Sequence, residues 1–215
     1  MGSYRTDTFT GLAHTGNVNR IKNLLQNPNV HSNIESTEGG IGYESRSMTA
    51  LGIAARRGDI VIMDLLLDKG KANPDGTGVI EDDIYCATPL FAAVQGNQYK
   101  AVAKLLEAGA DVDCSMSAHG DTDGGATAMY YAAQHNDVNM AAFLHMHGAC
   151  LCIPAGNGYA PLDIARKNGH TEVADWIEKM STHFVPDLTG TGKKYTMVSQ
   201  TARPHRHHGM GSIGE

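Results

Sequence analysis

Nowhere in the 215 residues do eighteen apolar side chains follow one another, and the opening Met1-Gly2-Ser3-Tyr4-Arg5-Thr6-Asp7 is polar. The first absence leaves no membrane-spanning helix, and the second gives no reason to expect a secretory leader. Positive charge is also short: 17 Lys and Arg stand against 23 Asp and Glu, a formal −6 that argues against general binding to nucleic acid or anionic membranes. Only four cysteines occur, Cys86, Cys114, Cys150 and Cys152, without the spacing of a secreted disulfide scaffold. Free, buried thiols in a reducing, cytoplasmic setting are the expectation. Catalytic signatures are missing as well: there is no Gly-x-x-x-x-Gly-Lys phosphate loop, no Ser nucleophile elbow and no carboxylate pair outside turn-like segments. An enzyme is therefore the weaker class, and no cofactor is expected.

What the chain does contain is repetition. Thr49-Ala50-Leu51-Gly52-Ile53-Ala54-Ala55, Thr88-Pro89-Leu90-Phe91-Ala92-Ala93 and Thr127-Ala128-Met129-Tyr130-Tyr131-Ala132-Ala133 are near-copies, with a weaker one at Ala160-Pro161-Leu162-Asp163-Ile164-Ala165. Each Thr is placed to cap a short helix, and the small alanines allow a neighbouring helix to come close. Gly58, Asn97 and Asn136 then interrupt the chain, Gly and Asn being the residues that best tolerate a left-handed turn. A second apolar stretch comes next at helical spacing (Ile62, Met63, Leu66; Val102, Leu105; Met140, Leu144), and Gly70, Gly109 and Gly148 are placed to end it as left-handed caps. The predicted unit is helix, tight turn, helix, Gly, and such units stack into a solenoid.

Thr88-Pro89-Leu90-Phe91-Ala92-Ala93 and Gly109-Ala110-Asp111-Val112-Asp113 closely match the Thr-Pro-Leu-His-x-Ala opening and the Gly-Ala-Asp-Val-Asn ending of the ankyrin repeat. On these motifs the sequence resembles the ankyrin-repeat family over roughly residues 7–184, with repeats near 7–32, 49–73, 88–113, 127–152 and 160–184. The first copy survives only in outline, as a terminal unit with one uncovered side would. The resemblance implies an all-α solenoid of helix-turn-helix units with projecting β-turn fingers, a domain over 1–184, and a non-enzymatic role binding a protein partner as adaptor, scaffold or regulator.

The spacing departs from the family. Thr49 to Thr88 and Thr88 to Thr127 are each 39 residues, whereas Thr127 to Ala160 is 33, the family's period. The excess falls between Gly70 and Thr88 and between Gly109 and Thr127, with a comparable excess around Asn33 to Ser47, so three consecutive fingers are lengthened on one side. Insertions that recur on one face of a repeat array often mark its binding face. The resemblance implies that contacts lie on the concave side, made by fingers and first helices. By motif position these would be Tyr43, Asp82, Asp83 and Tyr85 from the fingers and Arg56, Arg57, Gln95, Gln134, His135 and Lys167 from the helix ends.

His145-Met146-His147-Gly148-Ala149-Cys150-Leu151-Cys152 contains a zinc-compatible donor set, but His145 takes a position normally filled by buried Leu, and two histidines two apart on a helix point to different sides. No metal site is expected there, nor at Asp121-Thr122-Asp123-Gly124, where the closing Glu of a calcium loop is replaced by Ala132. From Val185 to Glu215 the repeat pattern stops. This Gly/Thr/His-rich tail (185–215) holds four basic and two acidic residues, so it is +2 and the body −8. It could thread onto an acidic partner surface, which leaves open an alternative role as a small accessory subunit of a large assembly.

Overall fold

The computed structural model describes residues 8–27, 48–77, 85–115, 117–118 and 125–181. Among these residues ten helices pair in chain order: α1 (Phe9–Thr15) with α2 (Val18–Leu24), α3 (Ala50–Arg57) with α4 (Ile60–Asp64), α5 (Pro89–Gln95) with α6 (Tyr99–Glu107), α7 (Ala128–Gln134) with α8 (Val138–Met146), and α9 (Pro161–Lys167) with α10 (Thr171–Ser181). Helices α3, α5, α7 and α9 start where the sequence predicts, and α1 starts after Thr8. The hydroxyls of Thr8, Thr49, Thr88 and Thr127 accept the N–H of Gly11, Gly52, Phe91 and Tyr130 at 3.1–3.2 Å, satisfying one otherwise orphaned donor per helix. Ala160 has no hydroxyl; its own N–H donates to Asp163 Oδ2 at 3.1 Å instead.

The turn inside each pair requires a left-handed residue. Gly16, Gly58, Asn97, Asn136 and Gly169 supply it with φ of 71°, 72°, 54°, 57° and 74°, so Asn does stand in for Gly in the middle repeats. Gly109 and Gly148 close α6 and α8 at φ 92° and 91°, again as expected. Gly70 does not. Its φ is −75°, and the left-handed residue is Lys71 at 56°. The cause is a π-turn over Leu65–Lys69 that continues α4 and takes up one extra residue. In consequence Ala72 donates to the carbonyl of Leu66, six residues back, whereas Ala110 and Ala149 donate to Leu105 and Leu144, five back. One residue of the first 39-residue interval thus lies in the helix, not in the finger.

The first helices stack in series, α1 on α3, α3 on α5, α5 on α7 and α7 on α9. Close approach is possible because the facing residues are small: Ala54, Ala55, Ala92, Ala93, Ala133 and Ala165 are fully buried. The larger apolar residues, among them Leu51, Leu66, Leu90, Leu105, Met129, Met140, Leu144 and Ile177, form one continuous core between the two helix layers, as expected of a stack whose units cannot bury an apolar face alone.

Carboxylates in the turns after the second helices pin successive repeats. Asp75 accepts the N–H of Asp111 with both oxygens, at 3.0 and 3.1 Å, and Asp113 Oδ1 accepts the N–H of Cys150 at 2.8 Å. Further out, two finger arms pair as an antiparallel ladder of two-residue strands, β1 (Tyr85–Cys86) with β2 (Ser117–Ala118), Tyr85 opposite Ala118. The lengthened second and third fingers are therefore joined by backbone.

Candidate partner-binding face

The last turn of each first helix ends at one exposed rim, where the stacking exposes the same position of successive repeats. Arg56, Gln95, Gln134 and Lys167 occupy this position, seven residues after the capping Thr or its Ala160 counterpart. Gln95 and Lys167 are exposed; Arg56 and Gln134 are half-buried. Arg57, next to Arg56, is exposed and pairs with Asp59 at 2.8 Å. At such exposure this pair adds little to stability and leaves the guanidinium at the surface.

One of the named residues, His135, packs on a ring that the motif reading did not single out, Tyr131. His135 lies over it with ring centroids 4.1 Å apart, one helical turn along α7. From the preceding repeat, buried Phe91 presents its edge to Tyr131 at 5.1 Å. Burial raises the Tyr131 phenol above its ordinary pKa, and the positive charge of Arg56 acts in the opposite sense, to a lesser degree. Tyr131 is thus packed against His135 of its own repeat and Phe91 of the preceding one, and feels the charge of Arg56 two repeats away.

Farther along, the Gln134 carbonyl is claimed by the next repeat, accepting from Asn168 Nδ2 at 3.3 Å and contacting His170 Nε2 at 3.0 Å. Lys167 holds its ammonium over the ring of Tyr159 at 4.3 Å, a cation–π contact. Tyr159 belongs to the finger that leads into α9, so finger and helix end meet here. A buried tyrosine does the same one repeat earlier: Tyr130 accepts a hydrogen bond from Asn157 Nδ2 at 2.8 Å through its hydroxyl. Tyr85 lies in β1, with its backbone in the finger ladder. Tyr43, Asp82 and Asp83 lie outside the described residues, as do the calcium-like segment and the tail.

The His and Cys run needs correction. Cys150 and Cys152 are not buried thiols; they are joined in a disulfide, Cys150 half-buried and Cys152 exposed. The turn brings their Cα atoms within 5.4 Å, which suits the bond. His145 is half-buried with its ring edge-on to Trp176 at 5.8 Å, and His147 packs on Phe143 at 4.9 Å, so the two imidazoles do diverge. Cys114 is a free, half-buried thiol whose pKa is pushed up to about 11, by burial first and then by the Asp75 and Asp111 charges.

Among the described residues, no helix is long and apolar enough to cross a membrane. A comparison with curated proteins returns no match. Two family models do match: that for ankyrin repeats in three copies over residues 11–116, and that for ankyrin repeats in many copies over residues 90–145. Together they span 11–145, and α9 with α10 continues the helix pairs to Ser181, so the chain belongs to the ankyrin-repeat family.

Proposed function

We propose that the protein is a non-enzymatic interaction module, an adaptor or scaffold, that binds a protein partner across the first-helix rim and the lengthened fingers beside it. Ankyrin repeats are generally protein–protein interaction modules. The observation that supports the assignment of the face is the half-buried Tyr131 ring stacked with exposed His135 on the first-helix rim, within reach of the Arg56 charge. Aromatic rings and Arg are the side chains that most often anchor an interface. The first helices add a basic bias in a chain that is acidic overall: α3 and α9 carry Arg56, Arg57, Arg166 and Lys167 against Asp163, with Arg57 paired to Asp59 and Arg166 to Glu178. An acidic segment on the partner fits that bias, since complementary charge raises association rates and disfavours wrong partners.

The test is affinity purification of the full chain with mass spectrometry of the captured proteins, then measurement of affinity with the recovered partner. Arg56→Glu with Arg57→Glu and Tyr85→Ala should weaken binding at least tenfold with unchanged helical circular dichroism, given a few kcal/mol for lost anchors. Undiminished affinity would overturn the assignment of this face.

A further inference from the structure

The turns after three consecutive second helices carry one pattern in register: Asn73-Pro74-Asp75, Asp111-Val112-Asp113 and Cys150-Leu151-Cys152. In the first two, the leading side chain accepts the N–H two residues on, Asn73 Oδ1 from Asp75 at 3.1 Å and Asp111 Oδ1 from Asp113 at 3.0 Å. This is the Asx turn, in which a side-chain oxygen mimics a backbone carbonyl. In the third, Cys150 Sγ takes the place of that oxygen and accepts the Cys152 N–H at 3.3 Å, and the two sulfurs are bonded. A covalent ring here reinforces a turn that the two preceding repeats close with the hydrogen bond alone. The same turn is the docking point for the preceding repeat, because the Cys150 N–H is the donor to Asp113.

We propose that Cys150 and Cys152 form a reversible thiol–disulfide exchange site, with a small monothiol and its disulfide as reactants, whose oxidised state closes the turn joining the fourth repeat to the fifth. Exposure supports exchange: accessible disulfides are the labile ones, and Cys152 is the exposed member of the pair. An incoming thiolate attacks Cys152 Sγ and forms a mixed disulfide. The Cys150–Cys152 bond breaks, its electron pair leaves on Cys150 Sγ, which the Cys152 N–H already faces, and that sulfur takes a proton from water. A second monothiol attacks the small-molecule sulfur of the mixed disulfide and releases Cys152 as a thiol. Two monothiols are oxidised to one disulfide while the protein gains two electrons and two protons. Cys114 does not compete, because its raised pKa keeps it protonated near neutral pH.

The full chain is equilibrated in buffers of reduced and oxidised glutathione, quenched, alkylated and mapped by mass spectrometry. In excess oxidised glutathione the peptide holding both cysteines should take no alkyl group and carry no glutathione; in excess reduced glutathione it should take two. Cys150→Ser should collect a glutathione adduct on Cys152. The wild-type thermal midpoint should fall on reduction, whereas the Cys150→Asp, Cys152→Asp double variant, which restores the Asp-x-Asp turn, should melt at one temperature in both buffers. Separate adducts on both wild-type cysteines, or alkylation of both in the oxidised buffer, overturns the exchange site, as does a disulfide that persists in excess reduced glutathione. A wild-type midpoint unmoved by reduction overturns closure of the turn.

Discussion

Gly96 lies directly against the backbone carbonyl of Arg56, in the neighbouring repeat. A Cβ built on Gly96 would overlap the carbonyl oxygen and stand 2.9 Å from the carbonyl carbon and 3.1 Å from the Arg56 Cα. The φ of Gly96 is −81°, which any residue adopts, so the requirement for glycine here comes from the approach of α3 to α5 and not from conformation. Neighbouring backbone cannot swing aside as the end of a long side chain can. Gly96→Ala is therefore expected to force the two repeats apart and to cost about 1–3 kcal/mol, the usual range for overpacking. Urea denaturation measures it; a stability equal to wild type would show that the stack yields without cost.

Thr88 is fully buried, and its hydroxyl accepts the Phe91 N–H at 3.1 Å. Thr88→Ala removes that cap, with an expected loss of about 0.5–2 kcal/mol. The fifth repeat runs the experiment in reverse, since Ala160 stands at the capping position without a hydroxyl. Ala160→Thr is expected to stabilise the chain by up to about 1 kcal/mol, seen as a higher thermal midpoint; a lowered midpoint would mean that Ala160 is held by packing rather than left over.

The parts of the fold legible in the sequence are those that depend on one repeat at a time. The capping threonines, the left-handed Asn97 and Asn136 and the buried alanines each reflect a local preference that recurs. The features the sequence hides depend on registration between repeats. The π-turn leaves the composition of Leu65-Leu66-Leu67-Asp68-Lys69 helical, and only the alignment of Asn73-Pro74-Asp75 with Asp111-Val112-Asp113 shows the inserted residue. The meeting of Tyr131 with His135 and Phe91 is hidden for a similar reason. The position of Tyr131 in its motif is one that leucine, isoleucine or alanine fills in the other copies, so nothing in the pattern marks it as exposed. The cysteine pair misleads because four cysteines without the spacing of a secreted disulfide scaffold still permit a bond inside one turn.

Cys114 gives a pH dependence with a definite sign. Its thiol titrates at about 11 in the folded chain against 9.0 for the unperturbed group. The unfolded chain therefore releases this proton first as pH rises, the native chain holds more protons between those values, and stability falls with rising pH across that window. The same shift makes the thiolate about 100-fold scarcer at pH 8 than for an unperturbed thiol, so alkylation of native Cys114 by iodoacetamide is expected to be slower by about that factor. Its rate should climb tenfold per pH unit until the thiol titrates. A plateau near pH 9 would contradict the effect of burial and the flanking carboxylates.

Lys71 bears the only left-handed backbone among the described residues that belongs to neither Gly nor Asn. A side chain there costs roughly 1–2 kcal/mol relative to glycine, and it stands there because the π-turn displaces Gly70 by one place. Removing Lys71 should therefore repair two faults at once. Leu66-Leu67-Asp68-Lys69-Gly70-Ala72 would then match Leu105-Leu106-Glu107-Ala108-Gly109-Ala110 position for position, with Gly70 in the left-handed place and Ala72 donating to Leu66 across five residues, as Ala110 does to Leu105. A single-residue deletion next to a helix ordinarily rotates the chain beyond it. This one is expected to leave Asp75 at its contact with the Asp111 N–H and to raise or preserve the thermal midpoint, whereas deleting Ala108, which carries no surplus residue to absorb, should lower it. If deletion of Lys71 destabilises the chain as much as deletion of Ala108, the π-turn is required by the packing of α4 and is not a surplus residue accommodated by it.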